Sequence, residues 1–260
     1  MNNTLSMSKQ ELVSIAQHRL DKEVGESPWT TRQRLALACR ILYDGGHDSG
    51  LAGQITCRAE QEGSFYTQQL GLGFDEISSS NLIHVDRDLQ LLSGKGIPNP
   101  ANRFHTWVYK ERPDVNCIIH THPSHIAALS MLEVPLEISH MDTTPLYGDC
   151  AFLEKWPGVP VGNEEGEIIA AALGDKRAIL LAHHGQLIAA KSIEEATVLA
   201  LLIERAAKLQ LLAMSAGTIK PIPPALANEA HDWISTDKRS AITFAYYARR
   251  ALRSHADCLI

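Results

Sequence analysis

Histidines follow two separate apolar segments of this chain, and their spacing is typical of metal ligands. The run at 117–119 leads into His120-Thr121-His122, and the run at 178–182 leads into His183-His184-Gly185. Side chains alternate between the faces of a strand, so His120 and His122 point the same way and can bind one ion. Imidazole suits zinc, iron, nickel or copper, whereas magnesium and calcium prefer oxygen ligands. The pattern predicts a three-histidine metal site whose third ligand comes from the second segment.

Within the second segment we expect His184 to be the ligand. Its neighbour Gly185 has no side chain, which lets the backbone come close to the ion. The alternative is that each histidine is an ordinary hydrogen-bonded residue, and we apply that interpretation to the isolated histidines at positions 18, 47, 84, 231 and 255. Two clusters at two segment ends would need two separate explanations of that kind, so metal binding is favoured.

The composition limits the class of protein. With 260 residues and ordinary apolar and charged fractions, the chain has the size of one globular domain. Its formal net charge of -6 offers no basic face to nucleic acid or to an anionic membrane, and no apolar stretch approaches the ~20 residues that span a bilayer. The cysteines include no Cys-x-x-Cys pair, which is typical of a reducing compartment. We therefore expect a cytoplasmic protein that acts on a small molecule.

Hydrophobic periodicity and turn residues divide the chain into an amino-terminal arm at 1–28 and a single domain at 29–260. We predict helices at 8–24, 31–44, 103–111, 124–132, 165–173, 193–216 and 238–253, the sixth opened by a capping box from Ser192 to Glu195. We predict strands within 54–68 and at 82–85, 89–92, 115–120, 178–182 and 186–190, with an irregular segment at 133–164. This order indicates an α/β fold, a three-layer α/β/α sandwich around a mainly antiparallel central sheet.

Several motifs resemble those of one known family and occur in the same order. The segment Gly53-Gln54-Ile55-Thr56-Cys57-Arg58 is similar to its Gly-Asn-Ile-Ser-x-Arg loop, and Arg103-Phe104-His105 is similar to the helix before its first metal strand. The two histidine clusters look like its metal motifs, and the segment 72–83 is especially similar to one branch. On these residues the chain resembles the class II aldolase and adducin-head family, in its adducin-like branch.

The resemblance implies a fold, a metal and an assembly. The fold of the class II aldolases in that family is an α/β/α sandwich. The family's ion, usually Zn²⁺, would be held here by His120, His122 and His184, one ion per subunit, with Fe²⁺ and Mn²⁺ as alternatives. The family forms ring-shaped tetramers with active sites between subunits, so the resemblance implies a homotetramer.

Departures from the family bear on the substrate. Its phosphosugar aldolases have Ser-Ser-Glu before Arg-Phe-His, where the serines help to hold phosphate and the glutamate binds the metal and moves a proton. This chain has Asn99, Pro100 and Ala101 instead, and alanine can do neither. Gln54 replaces the asparagine of the phosphate loop, and the turn at 68–71 lacks the usual Ser or Thr before glycine. We therefore expect an unphosphorylated substrate.

These features favour a metal-dependent lyase. It would cleave a carbon–carbon bond of a small hydroxy- or oxo-acid, by retro-aldol cleavage or decarboxylation, through a metal-stabilised enediolate. Proton transfer needs a replacement for the missing carboxylate, and we rank Tyr147 and His125 ahead of Asp142, Glu165 and His183. The structural alternatives are that His125 caps the helix it begins and that Tyr147 packs at a subunit contact.

Two other functions are compatible with the same residues. A three-histidine site without a carboxylate could hold Fe²⁺ in a non-haem oxygenase, and a non-catalytic oligomerisation module of the adducin type would need no metal. The arginines within 246–253 are either solvated on an amphipathic helix or offered by a neighbouring subunit to a substrate carboxylate. Zinc or manganese in the purified protein would favour the lyase, iron with oxygen uptake the oxygenase, and no metal the module.

Overall fold

The computed structural model describes residues 4–260, and an eight-stranded sheet forms its centre. The strands are β1 (Gln54–Arg58), β2 (Ser64–Thr67), β3 (Ile83–Asp86), β4 (Leu91–Ser93), β5 (Cys117–Thr121), β6 (Cys150–Leu153), β7 (Ala178–Leu181) and β8 (Gln186–Ala190). Their spatial order is β4-β3-β2-β1-β5-β8-β7-β6, and every neighbouring pair is antiparallel except β6 with β7. The predicted mainly antiparallel sheet is confirmed.

Helices cover both faces of this sheet. They are α1 (Lys9–Glu23), α2 (Thr31–Asp44), α3 (Asn102–Glu111), α4 (Ser124–Ser130), α5 (Asn163–Leu173), α6 (Ile193–Ala216), α7 (Pro224–Ile234) and α8 (Asp237–Ala251). One hydrophobic core lies between the sheet and α2, α4, α6 and α8, and a second lies between the sheet and α3 and α5. Alternation along β5 sends Cys117 and Ile119 into the first core and Ile118 into the second. The predicted three-layer architecture is confirmed.

The helix caps follow the sequence in part. Thr30 caps α2, and the side chain of Gln33 returns to the backbone of Thr30, which completes a capping box. Ser192 accepts a hydrogen bond from the backbone N–H of Glu195, as predicted. The carboxylate of Glu195, however, accepts from the N–H of Lys191 at 3.2 Å and pairs with Arg177 at 2.7 Å. The capping box predicted at α6 is therefore only half formed. The carboxylate of Glu195 does not accept the backbone N–H of Ser192, because it binds the guanidinium of Arg177 and the N–H of Lys191 instead.

Within residues 4–260, one strand and one α-helix lie where we predicted none. β6 is a short edge strand inside the segment expected to be irregular, and its residues are only half-buried. α7 begins at Pro224, in a proline-rich segment that would ordinarily end a helix. Proline is also favoured at the first helical position, where its missing N–H is not needed, and that use explains α7.

The amino-terminal segment contributes little to the core. α1 begins with a capping box between Ser8 and Glu11, but it buries none of its residues. An ion pair between Lys9 and Glu229 joins it to α7. Across residues 4–260, no helix is both long and apolar enough to span a bilayer.

Candidate metal centre

Pairing of β5 with β8 brings the two histidine clusters together. Thr121 lies opposite Gln186, so the end of β5 is beside the turn that joins β7 to β8. The rings of His120, His122 and His184 have centroids 4.6–4.7 Å apart, and their ligand nitrogens all lie within 4.8 Å of one another. We call these residues the histidine triad. In the described part of the chain, no other three His, Cys, Asp or Glu side chains are grouped in this way.

Hydrogen bonding fixes the tautomer of His120. Its Nδ1 lies 2.7 Å from the backbone carbonyl oxygen of Gln186, which only accepts, so Nδ1 carries the proton. Its Nε2 is left with a lone pair and lies 2.8 Å from Nε2 of His122. A ring held through one nitrogen by a carbonyl, with the other nitrogen free, is the arrangement that metal-binding histidines use.

Burial keeps the triad neutral. It lowers the pKa of His120 well below the ordinary value, and the neighbouring His184 and His122 lower that pKa further. Burial also lowers the pKa of His122, and together with His122 it lowers the pKa of His184 to about 4. Unprotonated imidazole is the form that binds a metal. Three neutral imidazoles without a carboxylate therefore fit a divalent ion such as Zn²⁺, with positions left for substrate.

The two histidines of the turn between β7 and β8 point in different directions. A Cβ at Gly185 would lie 2.5 Å from Cδ2 of His122 and 2.6 Å from the carbonyl oxygen of Thr121, so no side chain fits at that position. His183 has a φ of +55°, in the left-handed region, and its Nε2 lies 2.7 Å from Oε1 of Glu133. The turn thus directs His184 into the triad and His183 to an exposed carboxylate.

Buried polar side chains brace the sheet on both sides of the triad. On the α2 side, Nδ1 of His47 lies 2.8 Å from Oγ1 of Thr121, which also accepts from Nε2 of Gln186 at 2.8 Å. On the α3 side, Nδ1 of His105 lies 2.9 Å from Oγ1 of Thr56. Burial lowers the pKa of His47 and of His105 to about 3. Sequence analysis interpreted His47 as an ordinary hydrogen-bonded residue, and its partner Thr121 lies far away along the chain.

Three buried polar atoms on the α3 side have no hydrogen-bond partner within residues 4–260. They are Oε1 of Gln54, Oδ1 of Asn102 and Nε2 of His105. Gln54 lies opposite His120 in the β1–β5 pair, so the two side chains are on the same face of the sheet. Unpaired polar atoms in a protein interior are costly. Two more atoms without a partner among the described residues, Nε2 of His47 and Oε1 of Gln186, lie on the α2 side, so unpaired polar groups occur on both faces of the sheet beside the triad.

The structure does not bring Tyr147 to the triad within one chain. Tyr147 follows the 3-10 helix Met141–Leu146 and precedes β6. Because β6 is parallel to β7, with Cys150 opposite Ala178, Tyr147 lies at the end of the sheet away from the β7–β8 turn. An acid–base role for Tyr147 would therefore require the triad of another subunit.

His125 is also directed away from the triad, toward α6. Its Nδ1 lies 2.5 Å from Oε1 of Glu204, and the same carboxylate accepts the backbone N–H groups of His125 at 3.1 Å and Ile126 at 2.9 Å. Glu204 thus caps α4 and orients the His125 ring. Sequence analysis missed Glu204, which lies on α6 and has no motif around it.

The lower-ranked proton-transfer residues have other partners or positions as well. Asp142 accepts from Arg205 at 2.9 Å, His183 binds Glu133, and Glu165 lies in the first turn of α5. Among the described residues, the triad shares hydrogen bonds only within itself and with the backbone of β8. The predicted metal ligands meet within one chain, whereas the proton-transfer candidates do not join them.

Comparison with known proteins places this site in a family. The sequence model described as Class II Aldolase and Adducin N-terminal domain matches residues 33–211, which is more than half of the chain. The chain belongs to this family. The resemblance predicted from the loop, helix and histidine motifs is confirmed.

Members of the class II aldolase and adducin family that resemble the chain carry different activities. A 3,4-dihydroxyphthalate decarboxylase from Arthrobacter keyseri is 30% identical, over 74% of this chain and 82% of its own length. A 4-hydroxy-3-prenylphenylpyruvate oxygenase/4-hydroxy-3-prenylbenzoate synthase from Streptomyces roseochromogenus subsp. oscitans is 31% identical, over 75% and 72%. The solved structure of L-fuculose 1-phosphate aldolase from Glaciozyma antarctica PI12 has a TM-score of 0.80 at 29% identity, over 88% of this chain and 90% of that chain.

Proposed function

We propose that this protein is a metal-dependent lyase that cleaves a carbon–carbon bond of a small, unphosphorylated hydroxy- or oxo-acid, by retro-aldol cleavage or decarboxylation. The observation that carries the proposal is the triad of neutral imidazoles at the sheet end. His120, His122 and His184 would hold one divalent ion, with Zn²⁺ expected first and Fe²⁺ or Mn²⁺ as alternatives. When bound, the ion supplies Lewis acidity, which stabilises negative charge on a substrate oxygen. The decarboxylase and aldolase relatives support this reaction class.

The chain's own polar groups support an unphosphorylated substrate. The amide of Gln68 accepts from the N–H of Ile55 at 3.0 Å and donates to the carbonyl of Gly53 at 2.8 Å. Oδ1 of Asn99 accepts from the N–H of Ala101 at 3.0 Å. The side chains of Gln68 and Asn99 therefore make hydrogen bonds within the chain, to the loop at 53–55 and to the start of α3. In phosphosugar aldolases the residues at the corresponding places help to bind phosphate.

Proton transfer must come from a residue other than the one at position 101, because Ala101 carries only a methyl group. We keep Tyr147 and His125 as the proposed acid–base residues and place them in the site of a neighbouring subunit, since neither faces the triad of its own chain. Replacing Tyr147 with phenylalanine or His125 with asparagine should then lower kcat about 10²- to 10⁴-fold while the metal content stays unchanged. Loss of metal in either variant would assign that residue a structural role.

The intersubunit site requires a homo-oligomer, for which we propose a tetramer. Large apolar side chains exposed near α4 and along α6 support subunit contacts. They are Met131, Leu132, Met141, Leu212 and Met214. Light scattering at micromolar concentration should report about four chains. A stable monomer that turns over substrate would overturn the shared-site proposal. We place this assembly in the cytoplasm.

The deciding experiment pairs metal analysis with a substrate screen. Protein purified without chelator should contain one divalent ion per chain, and free hydroxy- or oxo-acids should be cleaved in preference to their phosphorylated forms. Efficient turnover of a sugar phosphate, with no activity on the free acids, would contradict the proposal. The absence of bound metal would favour the non-catalytic oligomerisation module instead.

A second candidate function is a non-haem Fe²⁺ oxygenase. The triad contains no carboxylate, and one relative that is 31% identical carries an oxygenase name. Iron in the purified protein, with oxygen consumed in proportion to the substrate, would select this function over the lyase. Product formation at an unchanged rate without oxygen would exclude it.

A further inference from the structure

A second cavity lies between α2, α4, α6 and α8, and it contains none of the triad. Its volume is about 330 Å³. The polar lining includes His125, Lys208 and Arg250, and the apolar lining includes Ile41 and Leu201. We call this cavity the basic cleft. It brings His125 and Arg250, which lie far apart in sequence, into one site within a single chain.

The charged side chains around the basic cleft differ in whether they have a hydrogen-bond or ion-pair partner. The carboxylate of Glu204 accepts hydrogen bonds from two backbone N–H groups and lies 2.5 Å from Nδ1 of His125, and Oδ1 of Asp44 lies 3.1 Å from Nε2 of His255. Lys208 and Arg250, by contrast, have no carboxylate partner within residues 4–260. The lining has three cations, Arg205, Lys208 and Arg250, against two carboxylates that are already hydrogen-bonded, so the cleft has a formal excess of positive charge. This contrasts with the net negative charge of the whole chain.

Arg250 and His125 are available to a ligand. Nη1 of Arg250 lies 3.5 Å from the hydroxyl of Tyr246, at the limit of a hydrogen bond, and the guanidinium has no other partner within the described residues. His125 has Nδ1 on Glu204, which leaves its Nε2 unengaged. A planar guanidinium favours two parallel hydrogen bonds to a carboxylate, while a lysine ammonium acts as a point charge.

We propose that the basic cleft is a binding site for a small organic acid, held through its carboxylate by Arg250 and Lys208. The cavity is at the lower end of the range for ligand pockets, which suits a molecule with few carbons. Ile41 and Leu201 provide an apolar wall for its hydrocarbon part. Phosphate would use free backbone N–H groups at a helix start, but Glu204 already occupies those of His125 and Ile126.

Calorimetric titration of the full-length protein with malonate tests the proposal. We expect one saturable site in the basic cleft. Arg250→Gln and Lys208→Gln should each raise its Kd about tenfold or more, because each removes one charged contact. Both side chains are exposed, so thermal unfolding should be unchanged. Arg87→Gln is the matched control: Arg87 is also exposed and free of ion pairs within residues 4–260, and it lines a different cavity beside α3. Its Kd should equal that of the wild type.

The triad variant His184→Ala separates this site from the metal centre. Malonate binding that persists in His184→Ala supports the basic cleft, and binding that disappears there would place malonate on the metal and overturn the proposal. The proposal also fails if no saturable site is found or if Arg87→Gln weakens binding as much as Arg250→Gln does. Tighter binding of inorganic phosphate than malonate, with the same dependence on Arg250 and Lys208, would overturn the choice of ligand class.

Discussion

Two groups of histidines in this protein differ in their partners. Those of the triad face one another and a backbone carbonyl, and burial lowers their pKa values. A second group has a ring nitrogen within 3.8 Å of a carboxylate: His125, His140, His183, His231 and His255. A carboxylate favours a protonated ring nitrogen, whereas a metal needs a lone pair. The proposed metal ligands differ from this second group because their ring nitrogens face one another and no carboxylate of the described residues.

The largest expected effect separates the two adjacent histidines of the β7–β8 turn. His184→Ala should lower metal affinity by more than the ~100-fold that loss of a supporting hydrogen bond costs, because a direct ligand is removed. His183→Ala is the matched control. It should bind metal as the wild type does, because the ring of His183 contacts the carboxylate of Glu133 and not the triad. Competition with a chromogenic chelator measures both affinities. Full metal retention in His184→Ala with loss in His183→Ala would reverse the assignment.

The buried histidines without acids should also make stability depend on pH. The pKa of His47 and of His105 in the folded chain is about 3, below the value of about 6.5 in an unfolded chain. The unfolded chain binds more protons between these values, so stability is complete above pH ~6.5 and falls as the pH drops toward 3. From pH 7.5 to 5, each histidine should remove about 2 kcal/mol from the free energy of unfolding.

Urea unfolding of wild type and His105→Gln at these two pH values tests this dependence. The glutamine variant should lose about 2 kcal/mol less than the wild type on acidification, whatever its stability at pH 7.5. An identical pH dependence in the two proteins would show that His105 has the same pKa in the folded and unfolded chain, and would contradict the lowered value.

A smaller loss of metal affinity is expected when Gly185, which leaves room for the His122 ring, is replaced. In Gly185→Ala the new methyl group would lie 2.5 Å from His122, which must move, and we expect about a tenfold loss of metal affinity. Gly25→Ala is the control, because no atom lies within 4 Å of the position its Cβ would take. Unchanged affinity in Gly185→Ala would mean that the triad tolerates a displaced ring.

The smallest change in metal affinity should come from a substitution among the histidines that pair with carboxylates, at the partner of His125. Glu204→Gln replaces charge-assisted hydrogen bonds to His125 and Ile126 with weaker ones, and it should cost about 1 kcal/mol of stability. Metal affinity should remain within about twofold of the wild type, because Glu204 does not contact the triad. A tenfold loss of metal affinity would mean that the two groups of histidines are coupled through β5 and α4, and the comparison between them would fail.

Local sequence patterns predicted much of the fold and the three histidines that cluster at the candidate site. The buried run at 117–119 and the following His-x-His specify a strand end with two imidazoles on one side, since side-chain alternation is a property of any strand. Thr30, Gly45 and Ser192 mark helix ends through hydrogen bonds with residues close in sequence. Gly185 pointed to His184, and the structure has no room for a Cβ at position 185 beside His122.

The remaining features depend on residues that are distant in sequence. Parallel pairing of β6 with β7 decides that Tyr147 lies away from the triad, and a carboxylate from α6 decides where His125 faces. His47 and the unpartnered Gln54 meet the triad strand only through tertiary packing. The sequence by itself thus determined most of the strands, the Ser and Thr caps and which imidazoles share a face, because those follow from local geometry. Tertiary structure alone decided the partner of each side chain, because hydrogen bonds and burial depend on elements that approach from elsewhere in the chain.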